Sequence, residues 1–584
     1  MAAAAPAPAA YSVAQYLADR LAQCGLGHVF AVPGDYASHF LDALDGMPGI
    51  VRVPNINELG SGYAADGYAR FRGIGAACVQ YGVGTFSALN CAAGAFVERV
   101  PVAFISASPS TKDRALETTE SILFHHSTGD LDADRDIFAQ VTVASLIVED
   151  PVLAPAQIDA ALIAMLSHRR PIYIEVLQDV WVMGCARPQG ALAPIEATSD
   201  SNALAALVDA AWTRISAAER PVLWAGIDIQ RFGLQDLLQR IVDASGLPFT
   251  TTSLGKTVLD EAQPQFIGTY AGPASPAGTR EAMTRCDCPI ALGTIITDDY
   301  LDIMGSSFGD MIEVNYEEAR VGWAYYPGVA LRDFLQNLAE RFEADPAFPR
   351  RCWAAIAEDD DPEASDAAGP LTYTRFYRQL TDWLKERALL DDIVLVLGES
   401  TSLYVFGNLF GLRQNGFVAQ AAWGSLGHET GCALGVALGS GKRPFVVAGD
   451  GGFMMICQEL SSLVRAGIPA AVFVMSNKGY AIEQAFVNID AFTPQGSFAP
   501  FDVLPVWDYL SLAKAFGARG FRVDSRDALA DALKDIESLT DVPALIEVVI
   551  PEKDLAPQLA RLAGAPVPER KYLRTPIPGP TGGD

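Results

Sequence analysis

Three consecutive α/β domains, each built on a doubly wound sheet of parallel strands, is the fold class this chain predicts. Three observations lead there. At 584 residues the chain is too long for one compact core. Half of its residues are hydrophobic and only 19% are charged, which suits large, well-buried domains rather than disorder. Short apolar runs closed by Gly, Pro or polar residues alternate with stretches of helical apolar spacing, the pattern of βαβ units.

In the first block, Tyr11 to Cys24 has helical spacing, His28 to Val32 reads as a strand, and Pro33-Gly34-Asp35 follows as a turn. Ala76 to Tyr81, Val102 to Ser106 and Ile172 to Val176 are further short strands. A Pro-, Ala- and Ser-rich break covers Gly190 to Ser201. The second block has strands at Pro221 to Ala225 and Pro289 to Leu292, with a helix from Leu234 to Ser245. The acidic stretch Glu358 to Ala368 reads as a solvated linker. From Leu371 onward, Ile393 to Leu397, Pro444 to Ala448 and Ala470 to Met475 look like buried strands. The domains are accordingly expected at 11–190, 200–357 and 370–555.

Net charge is −28, from 70 acidic and 42 basic residues. Such a surface repels phosphate backbones and anionic lipids, so neither nucleic acid nor a membrane surface is an expected partner. An anionic ligand then needs local compensation, which a metal cation supplies. The nine cysteines are mostly scattered through apolar runs, an odd count that points to reduced thiols and a cytoplasmic setting. Cys286 and Cys288 are the one close pair, with no second Cys or His pair nearby to complete a zinc site. Met1 to Ala10 is Ala/Pro-rich and does not read as a signal peptide, and Pro576 to Asp584 reads as a loose tail. No apolar run reaches the roughly 20 residues that span a bilayer.

In open parallel sheets, ligands bind beyond the carboxyl ends of the strands. Gly449-Asp450-Gly451-Gly452 directly follows the strand at Pro444 to Ala448, and Asn477-Lys478-Gly479 follows the next strand. Glycines let backbone approach a diphosphate, assisted by a helix expected to begin near Cys457. Asp450, Asn477 and the Gly479 carbonyl offer hard oxygen ligands of the kind magnesium takes. Two ordinary αβ turns would look the same if either half stood alone. The paired spacing is what favours the cofactor reading.

With these residues the chain resembles the thiamine-diphosphate enzymes, and the resemblance implies three domains of that type: pyrimidine-binding, central, and diphosphate- and metal-binding. It implies thiamine diphosphate and Mg2+ as cofactors. Gly449, Asp450, Gly451, Gly452, Asn477, Gly479, Tyr480, Ala481 and Ile482 would hold the diphosphate end, with Asp450, Asn477 and Gly479 on the metal. Where decarboxylases of the family commonly have Ser, this chain has Gly452. Asn57-Glu58-Leu59, followed by Gly62 to Arg70, resembles the segment with the cofactor-activating glutamate. In that role Glu58 bonds a nitrogen of the aminopyrimidine and promotes formation of the ylide. In Trp423-Gly424-Ser425-Leu426-Gly427, Leu426 resembles the wedge between the cofactor rings, and Gly424 the carbonyl that accepts from its amino group.

Three further matches resemble the pyruvate and indolepyruvate decarboxylases: Val32-Pro33-Gly34-Asp35-Tyr36, the adjacent His125-His126, and Gly479-Tyr480-Ala481-Ile482-Glu483. They imply a proton relay of Asp35, His125, His126 and Glu483. That relay would serve non-oxidative decarboxylation of a 2-oxo acid, in which the enamine left after CO2 departs must be protonated to release an aldehyde. Asp35 and Glu483 are expected in buried surroundings that favour the protonated acid. Leu403, Ile482 and Phe486 are the pocket candidates, and Leu403 would leave room for an aromatic or branched substrate larger than pyruvate. A carboligase of the acyloin or acetolactate type and a catalytically silent assembly subunit are the alternatives. Since Glu58 and Asp450 fall in different domains, the resemblance implies a homodimer or homotetramer with sites at subunit interfaces.

Overall fold

The computed structural model describes residues 11–348 and 369–564. The N-terminal extension, Cys352, the acidic linker and the C-terminal tail lie outside the described residues. Three sheets follow one another along the chain. The first holds β1 (His28–Ala31), β2 (Val51–Pro54), β3 (Gly75–Cys78), β4 (Val102–Ser108), β5 (Ser145–Val148) and β6 (Ile172–Leu177), in the order β2-β1-β3-β4-β6-β5. The second holds β7 (Pro221–Ala225), β8 (Phe249–Thr251), β9 (Phe266–Thr269), β10 (Cys288–Leu292), β11 (Ile312–Val314), β12 (Ala319–Val321) and β13 (Ala324–Tyr325). The third holds β14 (Ile393–Leu397), β15 (Phe417–Ala419), β16 (Arg443–Gly449), β17 (Ala471–Ser476), β18 (Arg519–Val523) and β19 (Ala544–Val549), in the order β15-β14-β16-β17-β19-β18.

Every pairing in the first and third sheets is parallel. β4, β6 and β17 are buried at every position, because helices cover both faces and leave no solvent side to which polar residues could alternate. The two sheets have the same strand order, so each reverses direction at its first strand. The resulting crevices lie between β1 and β3 and between β14 and β16. The middle sheet departs from the all-parallel expectation. β11, β12 and β13 pair antiparallel, forming a short meander at one edge, while β9-β8-β7-β10-β11 is parallel.

One helix crossing brings the first and third sheets together. Asn57 caps the helix Glu58–Arg72 by accepting from Gly60 N at 2.7 Å, and Gly73 ends it at φ 72°. This helix packs against the helix His428–Ser440. A Cβ on Gly435 would lie 1.8 Å from the Ala64 carbonyl oxygen, and one on Gly67 2.5 Å from that of Cys432. Only glycine permits so close an approach of two backbones. A buried ionic group sits in the same seam. Arg70 Nε donates to Asp66 Oδ1 at 2.7 Å, Arg70 Nη2 to Glu98 Oε2 at 2.6 Å, and His428 Nε2 lies 2.8 Å from Asp66 Oδ1. Burial opposes ionisation of Asp66, but Arg70 and His428 outweigh it and hold its carboxyl well below the usual range.

Candidate active site

The crevice of the first sheet is organised by the turn that follows β3. Gln80 runs beneath the Pro33–Asp35 turn, and its Nε2 donates to Asp35 Oδ1 at 3.2 Å. Tyr81 OH donates to the carbonyl oxygen of His125 at 2.5 Å, and the Tyr81 ring stands edge-on to His126 at 6.0 Å. Gly82, at φ 63°, passes so close to the His loop that a Cβ would lie 2.2 Å from the His126 oxygen. Asp134 anchors the same turn, accepting from Gly82 N at 2.8 Å and from Thr85 Oγ1 at 2.5 Å. Gly84 leaves room for Glu58, whose Oε1 would be 3.4 Å from a Cβ there. Asp35, Glu58, His125 and His126 therefore gather on residues 80–84. Sequence reading missed this turn, though the glycine pair at 82 and 84 directly after a strand marks it.

In the third sheet, Asp450 opens a helix, Asp450–Ile456, at the end of β16, seven residues before the start expected near Cys457. Asp450 Oδ1 accepts from Gly451 N at 3.0 Å and Oδ2 from Lys478 N at 2.6 Å. Burial still pushes its carboxyl up to about 6, against the pull of those N–H groups. With its amide oxygen turned toward the pair, Asn477 places that oxygen 3.3 Å from Asp450 Oδ1 and 3.1 Å from the Gly479 carbonyl oxygen; turned over, the amide nitrogen donates to both. The first arrangement suits a cation, since ligands about 2.1 Å from an octahedral magnesium stand about 3.0 Å apart along each edge. Tyr480 lies across Gly451, where a Cβ would be 2.3 Å from the ring. Tyr480 N also donates to the Asp502 carbonyl at 2.8 Å.

Between the two crevices, the loop carrying Gly424 and Leu426 is held by the first domain. Glu98 Oε1 accepts from Ala422 N at 2.8 Å and Trp423 N at 3.2 Å. Trp423 Nε1 donates to Asn90 Oδ1 at 2.8 Å, and Asn90 Nδ2 to Ser425 Oγ at 2.8 Å. Gly424 takes φ 70°, with Glu399 beside it. Burial pushes the Glu399 carboxyl up to about 8, reinforced by Asp299 and Glu98. Leu426 is half-buried.

The remaining predicted residues fall into two groups. Ile482, Glu483 and Phe486 share the helix Ala481–Val487, with Glu483 and Phe486 exposed. Asp35, His125 and His126 are exposed as well, so this chain alone does not supply the burial expected around Asp35 and Glu483. Leu403 is 2% exposed and packs in the core of the third domain rather than lining an open pocket. Its neighbour Tyr404 donates to Asp299 Oδ1 at 3.2 Å. Among the described residues, no hydrogen bond or ion pair joins the Asp35–Glu58–His125–His126 group to Asp450, Asn477 or Glu483. There is also no cluster of three His, Cys, Asp or Glu able to hold a metal among them, and Cys286 and Cys288 are free thiols.

Family models match all three parts of this architecture. Residues 11–133 match the N-terminal TPP binding domain of thiamine pyrophosphate enzymes, 208–341 their central domain, and 402–548 their C-terminal TPP binding domain. The chain is 31% identical to a probable pyruvate decarboxylase of Schizosaccharomyces pombe, over 94% of each protein. The chain belongs to the thiamine pyrophosphate enzyme family. It is also 31% identical to an alpha-keto-acid decarboxylase of Mycobacterium leprae over 98% of each protein. A pyruvate decarboxylase of Aspergillus fumigatus is 30% identical over 94% of the chain and 96% of that protein. The family's cofactor is thiamine diphosphate. No helix among the described residues is long and apolar enough to cross a membrane.

Proposed function

We propose that this enzyme removes CO2 from a 2-oxo acid without oxidation, releasing an aldehyde, with magnesium as the companion metal. The observation that carries the reading is the gathering of Asp35, Glu58 and the His125–His126 loop on one turn at the crevice of the first sheet. The names of the full-length relatives support it. Thiamine diphosphate, when bound, supplies the electron sink for the pair left as the bond to CO2 breaks.

The protein's own residues provide everything else. Asp450, Asn477 and the Gly479 carbonyl would hold the metal, and the backbone of Gly449 to Gly452 would receive the diphosphate, with the Tyr480 ring packed in the space a side chain at 451 would need. The Gly424 carbonyl would accept from the cofactor's amino group, and Leu426 would be the wedge between its rings. Glu58 holds a proton at the aminopyrimidine nitrogen. His125 and His126 pass protons between solvent and the reacting carbon, with Asp35 kept in line by Gln80. Glu483 completes the relay across a subunit boundary.

That boundary is the reason to expect a homodimer or a homotetramer. Phe486 is exposed on the helix of Glu483, Val503 is exposed where it bridges to Gly479, and Ile122 and Leu123 are exposed just ahead of the His pair, so apolar surface adjoins both halves of the site. A partner covering it would bury Asp35 and Glu483. An aromatic or branched substrate larger than pyruvate is the reading that rests on Leu403, which the fold buries, while Phe486, exposed on the helix of Glu483, would take up part of that space. The eight free cysteines described fit the reducing cytoplasm.

The test is aldehyde and CO2 formation from a panel running from pyruvate through branched acids to phenylpyruvate and indolepyruvate, with and without thiamine diphosphate and magnesium. Cofactor-dependent aldehyde in step with CO2 is the expected result. CO2 without matching aldehyde turns the assignment to a carboligase, and bound cofactor without turnover of any acid ends the decarboxylase reading.

A further inference from the structure

The crevice of the third sheet contains a second acid that the scheme above does not use. Glu429 lies in the first turn of the helix His428–Ser440 and is 1% exposed. Its side chain is directed between two glycines at the ends of β14 and β16. A Cβ on Gly398 would lie 2.9 Å from Glu429 Oε1, and one on Gly452 2.7 Å from the same atom. The carboxyl thus occupies space that any side chain at 398 or 452 would need, at the point where the strand order reverses. Neither of its oxygens has a well-aligned hydrogen-bond partner in the chain; the nearest donors are the backbone N–H groups of Gly427 and of Glu429 itself. Buried polar groups are rarely left in this state unless something outside the chain satisfies them.

We propose that Glu429 is a cofactor-binding residue, its carboxyl group donating a hydrogen bond to a diphosphate oxygen in the crevice between β14 and β16. The inference rests on thiamine diphosphate binding there, as proposed above. Gly452 has no side chain to offer such a donor, and Glu429 fills the place where one would stand. The group donates only as the neutral acid, since an ionised carboxylate has no hydrogen to give. Burial pushes the Glu429 carboxyl up to about 7, so a large fraction carries the proton at neutral pH. The titratable groups on the elements packed around it are Glu399 after β14, Asp450 ahead of Gly452, Tyr63 and Asp66 on the helix Glu58–Arg72, and His428 and Cys432 on its own helix. Glu399, Tyr63 and Cys432 are themselves raised, and each of them is opposed by negative charge on Glu429.

The test is calorimetric titration of thiamine diphosphate with magnesium into the cofactor-free, full-length chain at about pH 6 and about pH 8.5, on either side of the Glu429 range. Wild type should bind about tenfold or more weakly at the higher pH, because binding must then take up a proton. Glu429→Gln keeps a donor of nearly the same shape and should lose the weakening at the higher pH. Glu429→Ala should bind about tenfold more weakly than wild type at about pH 6. Gly452→Ser should weaken binding by collision with Glu429, and combining it with Glu429→Ala should recover affinity, since the hydroxyl then has both room and a donor role. Wild-type affinity in Glu429→Ala, or an unchanged pH dependence in Glu429→Gln, overturns the proposal. Failure of wild type to bind the cofactor at all would instead remove the reading on which it rests.

Discussion

Gly82→Ala isolates what the turn after β3 does. Gly82 sits at φ 63° and ψ −95°, a conformation that costs a residue with a Cβ about 1–3 kcal/mol. The new methyl would also stand 2.2 Å from the carbonyl oxygen of His126, where ordinary contact begins at 3.4 Å. The loop must therefore retreat by about 1 Å, and a shift of that size at a reacting group costs about 100-fold in rate. The Tyr81 hydroxyl, which donates to the His125 carbonyl, would lose its partner in the same movement. Thiamine diphosphate affinity should stay within about twofold, because the proposed diphosphate site is on another sheet. The measurements are kcat/KM for the best 2-oxo acid, cofactor affinity by titration, and thermal melting. A fall of about 100-fold in kcat/KM with cofactor affinity preserved is the expected result. If melting drops while turnover stays near wild type, the His loop has moved without consequence and its place in the proton relay is refuted.

Other perturbations read out separate parts of the structure. Glu58→Gln should abolish turnover while cofactor titration shows diphosphate binding largely intact, whereas Asp450→Ala should lose metal and cofactor together in the same titration. Gly435→Ala, which sets a methyl 1.8 Å from the Ala64 oxygen, should destabilise the chain by about 1–3 kcal/mol or more in chemical denaturation. Gly46→Ala, whose nearest neighbour would be 3.5 Å away, should stay within about 1 kcal/mol of wild type. Burial pushes the Glu175 carboxyl up to about 7, so the native state keeps a proton that the unfolded chain releases from about pH 4.3 upward. The contribution of Glu175 should therefore fall by about 3 kcal/mol as pH rises from about 4.3 to 7, and denaturation curves of Glu175→Gln should differ from wild type by a slope of that size across the range.

Much of the framework is legible in the sequence. The apolar run Ile393 to Leu397 is β14 residue for residue, and Pro221 to Ala225 is β7, because a short buried strand announces itself by uninterrupted apolar residues closed by a polar or Gly turn. Asp450 and Asn477 were legible as a pair because each directly follows a strand, and adjacent parallel strands carry their ends to one place. The helix start at Asp450 was misread as lying near Cys457, since three glycines in four residues weaken any helical signal. The antiparallel edge of the middle sheet was hidden for another reason. β12 and β13 have three and two residues, too few to show a period.

The sequence by itself determined the α/β class, the strands that carry the chemistry, and the residue types at their ends. These depend on side chains within a few positions of one another, where apolar period and turn propensity act. Only the tertiary structure decided what holds those residues in place. Glu98 reaches the backbone of Ala422 across 324 positions, and nothing in the spacing of either segment foretells it. The gathering of Asp35, Glu58 and the His pair on residues 80–84, and the lodging of Glu429 between Gly398 and Gly452, are of the same kind. Each is a contact between segments distant in sequence, and it exists because burying the faces of sheets and helices against one another leaves a single place for those side chains to go.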